Sequence, residues 1–355
     1  MPEDLPTAAP PIPGVPPLHA AAGEAAAKHQ VALTKPPGSL GMLEQVGVRL
    51  AAMTGSLDPA LEDAVVFTLA ADHGVVEEGV SAYPQEVTGQ MVLNFLSGGA
   101  AVTVLARTLG ARVVVADLGV AADLPAHPGL RSLRIRRGSR NLARGPALTL
   151  DETRAALNAG RRLVREELEA GLDLVLTGDM GIGNTTPSAC LVCHFTGLDP
   201  LQVVGRGTGV DDAGLARKTE VVRRALEVNA AAAAEPLGAL AALGGLEIAG
   251  LTGVILEAVS RRRPVLLDGF ISTAAALAAA ALVPGCQRYL IAAHRSQELG
   301  HAAALAALDL RPLLDLELRL GEGTGALLAL PLVRAAIRIQ NEMATFEEAG
   351  VSDHT

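Results

Sequence analysis

Residues 172–196 read LDLVLTGDMGIGNTTPSACLVCHFT, and this stretch decides the fold class. Its first part, Leu172–Gly178, is a nearly continuous apolar run, as expected for a strand that is covered on both faces. A polar turn with glycines follows, and Thr186–Phe195 then has the length and composition of a helix. A strand that leads through such a turn into a helix is typical of a parallel α/β fold.

The same alternation extends over most of the chain. The other predicted strands are Val65–Ala71, Arg112–Asp117, Pro264–Asp268 and Gln287–Ala293. The other predicted helices are Val87–Leu109, Asp151–Glu169, Asp212–Ala234, Glu247–Arg261, Thr273–Leu282 and Gln297–Leu308. Strands that alternate with helices of this length predict an α/β fold with a parallel sheet and flanking helices.

Helices are also predicted at both ends of this region. In residues 18–60, apolar side chains recur three and four positions apart, which is the spacing of one helix face: Leu43, Val46, Leu50 and Met53. A last helix is predicted at about 324–347, and Pro331 should mark a kink or an early turn within it.

The composition argues against two classes of partner. Half of the 355 residues are hydrophobic but only 2% are aromatic, so few rings could stack on single-stranded nucleic acid. The net charge of −9 also argues against a protein that coats nucleic acid. The longest apolar stretch, Ala274–Val283, is far too short to span a membrane. We therefore expect neither nucleic acid nor a membrane as a partner.

The cysteines and the N-terminus favour a cytoplasmic protein. Three cysteines make no disulfide framework. Residues 1–17 carry seven prolines and lack the basic start and apolar run of a signal peptide, so we predict a flexible proline-rich arm there. Cys190–His194 matches the C-x-x-C-H pattern of haem attachment, but without an export signal we interpret Cys190 and Cys193 as buried helix residues.

Polar residues concentrate where the predicted strands end. The turns there are Asp72–Gly74, Asp117–Gly119, Gly178–Thr186, Asp268–Phe270, His294–Ser296 and, after a further predicted strand, Gly321–Gly323. One polar turn would be ordinary, but ligands of open α/β sheets bind beyond the carboxyl ends of the strands, and several such turns predict a site. Glu322 stands between two glycines in the last of them, where a carboxylate must be hydrogen-bonded or functional if it is buried.

Two segments suit a phosphate group. GIGNTT, residues 181–186, enters a helix, and the N–H groups at a helix start attract anions. Lys218 is the preferred cation of the segment after Gly205, whereas Arg223 and Arg224 are interpreted as solvated. No dinucleotide-binding fingerprint and no P-loop motif is present. His73 and His294 are each interpreted first as structural residues and second as substrate contacts.

Five motifs, in order along the chain, together resemble the nicotinate-nucleotide–dimethylbenzimidazole phosphoribosyltransferase family. They are TKPPGSLG, ADHGVVEEGVSAYPQEVTGQM, GDMGIGNTTPSA, PVLLDGFISTAAA and LRLGEGTGALLALPLV, and the resemblance covers about residues 25–345. It implies transfer of the 5-phosphoribosyl group of nicotinate mononucleotide to 5,6-dimethylbenzimidazole, which gives nicotinate and α-ribazole 5′-phosphate in assembly of the cobalamin nucleotide loop.

The chemistry of this reaction implies a base but neither a metal nor a cofactor. The leaving nitrogen of the substrate is already positive, so nicotinate departs without a general acid. One benzimidazole nitrogen attacks the sugar while the other loses its proton, which a neighbouring carboxylate can accept. No pyrophosphate leaves, so no metal is required to stabilise it.

The resemblance also implies how the chain is organised. A large α/β domain with a Rossmann-like sheet, residues 61–324, would carry the active site. A small helical domain would combine residues 18–60 with 325–355. Family members form homodimers in which the small domain of one subunit helps to close the site of the other.

The resemblance assigns roles to single residues. Glu322 matches the catalytic glutamate, and Asp179 stands where the family often has a second glutamate, so that its role as supporting base or loop organiser is open. Residues that match the base pocket are Tyr83, Met91 and Met180. Residues that match the nucleotide loops are Gly181, Gly183, Asn184, Thr185, Lys218, Gly269 and His294. The role of Arg295 is open.

Three alternatives are kept. The first is a related phosphoribosyltransferase that uses another base, such as adenine or a phenol. The second is a non-catalytic nucleotide-binding relative, against which the presence of Glu322 argues. The third is a haem-binding or redox protein, which would rest only on the C-x-x-C-H pattern.

Overall fold

The structure, a computed structural model, describes residues 11–352 and contains one parallel sheet in that part of the chain. Its strands are β1 (Ala64–Ala71), β2 (Arg112–Gly119), β3 (Leu130–Ser132), β4 (Leu174–Met180), β5 (Val265–Leu267) and β6 (Leu290–Ala292). Their spatial order is β3-β2-β1-β4-β5-β6, and all neighbours are parallel. The chain winds outward from β1 in one direction and from β4 in the other, so the topology switches between these two strands.

The parallel α/β fold and all five predicted strand positions are confirmed. β1 is buried at every residue, and the continuous apolar sequence was the signal for it. β3 was not predicted. It has only three residues, two of them exposed, and it carries an arginine and a serine at the edge of the sheet.

Helices cover the sheet and the chain ends. Those in the described residues are α1 (Ala20–Ala32), α2 (Met42–Thr54), α3 (Val87–Leu96), α4 (Ala101–Leu109), α5 (Leu150–Glu169), α6 (Thr185–Thr196), α7 (Pro200–Val203), α8 (Asp212–Val228), α9 (Pro236–Leu243), α10 (Leu246–Ser260), α11 (Phe270–Leu282), α12 (His301–Ala307), α13 (Thr324–Glu342) and α14 (Phe346–Ala349). The long predicted helices therefore exist, with shifted ends.

The prediction of one helix over Val87–Leu109 was wrong. The structure has two helices, because Gly98 takes a left-handed conformation with φ 79° and ends α3. By length and composition, this apolar stretch is the one part of residues 11–352 that could cross a membrane, a test that buried core helices also pass. Because of this break, α4 starts beside Glu322, and the Val102 N–H in its first turn donates to the Glu322 carboxylate.

Two other helix predictions were too long. The helix predicted over Asp212–Ala234 ends at Val228, where Asn229 turns its side-chain amide to the carbonyls of Leu142 and Ala225. The short helix α9 then starts at a proline and was not predicted. The helix predicted over Gln297–Leu308 begins only at His301.

The strand predicted to end at Glu322 does not exist. Residues 316–321 have no regular structure, and Leu316 and Leu320 are exposed. The alternation of apolar and charged residues in this segment imitates a strand. Its backbone instead makes isolated contacts, such as the bond from Gln297 N–H to the Leu318 carbonyl.

The helices from the two chain ends lie together. α2 packs against α1 and α13, the His29 ring bonds to the Gln340 carbonyl at 2.8 Å, and Leu33 pairs with Thr345. α13 also packs on α4 and β4, so the hydrophobic core continues into the sheet. We therefore propose a small helical domain of 18–60 and 325–355 that shares its core with the large domain.

The proline-rich arm predicted for residues 1–17 falls partly outside the described residues, since these begin at residue 11. The part that is described has no helix or strand. Its end is bound, because Tyr289 donates its hydroxyl to the Pro16 carbonyl at 3.2 Å and Arg262 donates to the Pro17 carbonyl at 2.8 Å.

Candidate active site

The carboxyl ends of the strands place polar residues along one edge of the sheet. Asp72 follows β1, Asp179 lies near the end of β4, Asp268 follows β5 and His294 follows β6. Glu322 lies against β4, because its N–H donates to the Asp179 carbonyl at 3.2 Å. The charges of Asp268 and Glu322 act on Asp179, which lies on β4 beside the point where the topology switches.

Glu322 is held in a left-handed conformation, with φ 65°. Its carbonyl accepts a hydrogen bond of 2.9 Å from the Thr68 hydroxyl of β1. Gly178 is the register partner of Thr68 in β4, and a Cβ at Gly178 would collide with the Glu322 carbonyl. The glycine lets the turn approach the strand closely.

The Glu322 carboxylate is buried and accepts a hydrogen bond of 3.3 Å from the Val102 N–H at the start of α4. Burial raises the pKa of Glu322, the Val102 N–H opposes the rise, and the negative charge of Asp268 adds to it. A carboxylate whose pKa is raised toward neutrality is a stronger proton acceptor than a solvated one. Because its carboxylate is buried and hydrogen-bonded, Glu322 is not a solvated loop acid.

Asp179 is buried beside it. Its Oδ2 accepts a bond of 2.9 Å from the Asn184 side chain, and its Oδ1 has no hydrogen-bond partner among residues 11–352. Burial, followed by the charges of Asp268 and Glu247, raises the pKa of Asp179 well above its usual range. This shift is toward the protonated form, in which a carboxyl group cannot accept a proton.

Asp268 was predicted to lie at the end of a strand, but no role was predicted for it. The structure gives it three backbone hydrogen bonds in and after the Glu322 turn, from the N–H groups of Gly323 (3.2 Å), Gly325 (2.7 Å) and Ala326 (3.0 Å). It therefore caps α13 from another strand. The only sequence signal was a polar residue directly after an apolar run.

Two further residues form a buried pair at the end of β1. His73 Nε2 lies 2.7 Å from Glu247 Oε1, and both side chains are fully buried. Burial lowers the pKa of His73, but the charge and hydrogen bond of Glu247 raise it by more, so that its pKa lies above the usual value. The structural interpretation of His73 agrees with this pairing. Glu247 was missed because it sits in an otherwise apolar helix.

His294, predicted as a nucleotide contact, is buried behind the turn. Its Nε2 lies 3.7 Å from Asp268 Oδ1, and its ring packs so closely on Gly325 that no Cβ would fit there. Gly269, also predicted in the nucleotide loops, packs on the same ring. In this structure the His294 ring therefore lies between Gly269, Gly325 and the Asp268 carboxylate.

The predicted phosphate segment forms a compact turn between β4 and α6. Asn184 N–H donates to the Gly181 carbonyl at 3.1 Å, and Gly183 takes φ 89°. A Cβ at Gly181 would collide with the Ala71 carbonyl, so this glycine lets the turn pass beside β1. Met180, which precedes the turn, is half-buried.

Lys218 reaches this turn from α8. Its ammonium group donates to Thr185 Oγ1 at 2.7 Å and to the Gly205 carbonyl at 3.1 Å. Burial lowers its pKa to about 8, although the charge of Glu298 opposes this. A buried cation at the first turn of a helix is a suitable partner for a phosphate.

The residues predicted for the base pocket differ in how far they are buried. Met91 is half-buried on α3, whereas the Tyr83 side chain is 54% exposed. The Tyr83 loop is attached to the segment near Gly207, because Ala82 N–H donates to Thr208 Oγ1 at 3.0 Å. The Tyr83 ring is thus exposed on a loop bound to Thr208 and is not enclosed in a pocket.

The C-x-x-C-H pattern lies in α6, where Cys190 and Cys193 are free and buried. Burial raises the pKa of Cys193 to about 12, so its thiol is unreactive near neutral pH. No group of three or more His, Cys, Asp or Glu side chains in residues 11–352 is arranged to hold a metal ion. This arrangement matches the interpretation of both cysteines as packing residues.

Arg295, whose role was open, forms an ion pair with Asp315. Both line a cavity of about 410 Å³ on the outer side of the turn after β6. The apolar part of its lining comes from Leu299 and Ala302, just before and at the start of α12. Arg295 therefore serves this loop and makes no contact with Glu322.

A family model described as phosphoribosyltransferase matches residues 15–351. A protein of Chloroflexus aggregans named nicotinate-nucleotide–dimethylbenzimidazole phosphoribosyltransferase is 53% identical over 337 residues, which cover 95% of this chain and 96% of that protein. A protein of Roseiflexus sp. with the same name is 54% identical over 95% of both chains.

A solved structure is also similar. The crystal structure of CobT from Thermus thermophilus superposes with a TM-score of 0.91 at 51% sequence identity. The match covers 94% of this chain and 100% of that one. Similarity of this extent shows that the two chains share one fold.

Proposed function

Since this chain belongs to the nicotinate-nucleotide–dimethylbenzimidazole phosphoribosyltransferase family, we propose that it transfers the 5-phosphoribosyl group of nicotinate mononucleotide to 5,6-dimethylbenzimidazole. The products are nicotinate and α-ribazole 5′-phosphate, and the reaction belongs to cobalamin biosynthesis. The observation in the site that carries the proposal is Glu322, a buried carboxylate with a raised pKa in a turn fixed by three strands.

The reaction needs one proton acceptor. A benzimidazole nitrogen attacks the anomeric carbon of the ribose, and the bond from that carbon to the nicotinate nitrogen breaks with its electron pair on nicotinate. The other benzimidazole nitrogen then gives its proton to Glu322, which neutralises the positive charge of the ring. Glycines flank this carboxylate on both sides, so no neighbouring side chain prevents the flat ring from approaching the backbone there.

Asp179 supports this base without replacing it. Burial shifts the pKa of Asp179 upward, toward the neutral acid, and Asn184 holds its orientation. A neutral Asp179 would leave Glu322 to face the developing cation as the proton-accepting carboxylate.

Asp179→Asn should therefore lower kcat by roughly tenfold or less, because asparagine keeps one oxygen for Asn184 and resembles the neutral acid. Initial rates of nicotinate release at saturating substrate would measure the effect. A loss larger than that of Glu322→Gln would show that Asp179 is the base.

Thr185 and Lys218 would bind the phosphate of the nucleotide, and the turn Gly181–Asn184 would lie along its ribose. Met91 and Met180 would line the slot for the flat base, and the exposed ring of Tyr83 would be available at its open side. His294 and Gly269 would act behind the turn, through Asp268.

The affinity for nicotinate mononucleotide should decrease above pH 8. The pKa of Lys218 is about 8 in the free protein, so its charge is present below that pH and is lost as the pH rises through it. Binding that requires the ammonium group should weaken roughly tenfold per pH unit above the pKa. A phosphate monoester is already doubly charged above about pH 6, so the ligand itself does not titrate in this range.

Calorimetric titrations at several pH values below and above the Lys218 pKa of about 8 would test this expectation. Lys218→Met should bind weakly and without the pH dependence. Arg223→Met, which removes an exposed cation from the same helix, should behave like the wild type. An affinity of the wild type that stays constant through pH 8–9 would contradict the assignment of Lys218.

The function itself is tested by incubating the protein with both substrates and measuring nicotinate and α-ribazole 5′-phosphate by chromatography. Omission of dimethylbenzimidazole should stop nicotinate release, which separates transfer from hydrolysis. Adenine and a phenol, offered in its place, would show which base the pocket prefers. No release above the protein-free control would reject the proposed function.

We propose that the protein forms a homodimer and that it is located in the cytoplasm. Free cysteines support a reducing compartment. Exposed apolar side chains on α3 and α4, Leu93 and Val104, support a contact with a second subunit. Sedimentation at micromolar protein would decide between dimer and monomer.

A further inference from the structure

The turn that carries Glu322 is strained. Gly321, Glu322 and Gly323 take φ values of 81°, 65° and 104°, so three consecutive residues lie in the left-handed region. A residue with a side chain is less stable there than in the right-handed region. Such a turn persists only if the surrounding structure holds it.

Three adjacent strands hold this turn, and each contributes a different kind of contact. β4 contributes the Asp179 carbonyl, which accepts the Glu322 N–H. β1 contributes the Thr68 hydroxyl, which donates to the Glu322 carbonyl. The end of β5 contributes the Asp268 carboxylate, which accepts the next N–H, that of Gly323. The backbone of the catalytic residue is thus bound on both of its peptide groups.

Asp268 is suited to this task because it has few other contacts. It is 1% exposed, and the ring of His294 lies 3.7 Å away, which is beyond a hydrogen bond. The three N–H groups at the start of α13 therefore stabilise most of its charge. Any movement of the turn would leave a buried carboxylate without these partners.

We propose that Asp268 and Thr68 are positioning residues, which hold the Glu322 turn so that its carboxylate meets the proton of the acceptor base. The proposal rests on the proposed function and deepens it. Neither residue is assigned contact with a substrate. Their effect is transmitted through the backbone of Gly321–Gly325.

Asp268→Asn tests the role of the carboxylate. Asparagine keeps an oxygen for Gly325 and Ala326 but turns an N–H toward the N–H of Gly323, so the turn loses the contact next to Glu322. We expect kcat to fall roughly ten- to hundredfold, since a displacement of about 1 Å can cost that much. The affinity for nicotinate mononucleotide should stay near the wild-type value, because Lys218 lies on another segment.

The decisive measurement combines this change with Glu322→Gln. If Asp268 acts through Glu322, Asp268→Asn should lower kcat little further once Glu322 cannot accept a proton. An equal loss in both backgrounds would overturn the proposal, because it would show a general structural effect. Unchanged kcat in the single variant would overturn it as well.

A pH profile gives a second readout. Two ionisable side chains face Glu322, namely Asp179 on β4 and Asp268 after β5. β1 faces it with the Thr68 hydroxyl and α4 with the Val102 N–H, neither of which titrates. The negative charge of Asp268 raises the pKa of Glu322, so its removal should move the acidic limb of kcat/KM to lower pH. A limb that stays in place or moves upward would contradict the proposal.

Thr68→Val keeps the test valid if Asp268→Asn does not fold. It removes the hydroxyl donor in the middle of β1 and should lower kcat severalfold to tenfold, again only while Glu322 is present. Matched controls are Thr153→Val, a buried threonine bonded within α5, and Asp117→Asn, a buried aspartate that caps Val120 at the end of β2. Both should keep wild-type kcat.

The outcomes also separate this proposal from the function on which it rests. Absence of nicotinate release by the wild type would reject the function. Normal release by the wild type and its loss in Glu322→Gln, together with wild-type kcat in Asp268→Asn and Thr68→Val, would reject the positioning role alone.

Discussion

Glu322→Gln should lower kcat about 10²–10⁴-fold while nicotinate mononucleotide still binds. Glutamine keeps the size of the side chain and can still accept the Val102 N–H, but it cannot take a proton from the acceptor base. The benzimidazole ring would then retain its positive charge as the new bond forms. Single-turnover rates of nicotinate release and equilibrium binding of the nucleotide would separate the two steps.

Glu317→Gln is the matched control for this change. Glu317 is also a left-handed glutamate, with φ 57°, but it lies on the surface of the segment before the turn. Glu317→Gln removes the same charge, at a side chain that is not in contact with β1, β4 or Asp268. A folded Glu322→Gln protein with kcat close to that of the control would exclude Glu322 as the base.

Gly178→Ala should lower kcat about a hundredfold, although the change adds only one methyl group. A Cβ at this position collides with the Glu322 carbonyl, and both atoms belong to backbone that cannot rotate away. The turn must therefore move, and it carries the base with it. Rates and the melting temperature measured on the same preparation would show whether kcat falls more than stability.

Gly119→Ala is a suitable comparison, since it crowds the end of β2 instead of β4. Its Cβ would meet the side chain of Leu246, which can move, and not the catalytic turn. We expect it to destabilise the protein with little loss of kcat. Equal losses of kcat in the two variants would show that packing of the strand ends, and not the position of Glu322, controls the rate.

Much of the fold could be predicted from the sequence because the signals are local. Apolar runs located five of the strands, and the polar residues after them located the edge of the sheet that carries the site. Glu322 stood out as an acid between glycines, and the resemblance to a family gave it a role. Lys218 was selected among several cations, and it is the one that is buried.

The remaining features depend on contacts between distant segments. The spacing of apolar residues along the sequence does not reveal such contacts. Thr68 looks like any residue of a buried strand, and Glu247 like an unfavourable residue in an apolar helix. Their partners are Glu322 and His73, and nothing in the neighbouring sequence identifies them. The strand predicted before Glu322 was wrong because alternating side chains fit an extended segment whether or not it pairs with another strand.

Folding of the chain and formation of the active site are linked by the bond between Thr68 and Glu322. These residues are separated by 254 positions, so the bond closes a loop that includes most of the chain. Contacts of such separation form late, because the loop entropy must be overcome first. During synthesis, which proceeds from the N-terminus, all six strands precede Glu322, since β6 ends at Ala292. We therefore expect activity to appear only after the Glu322 turn has joined the sheet.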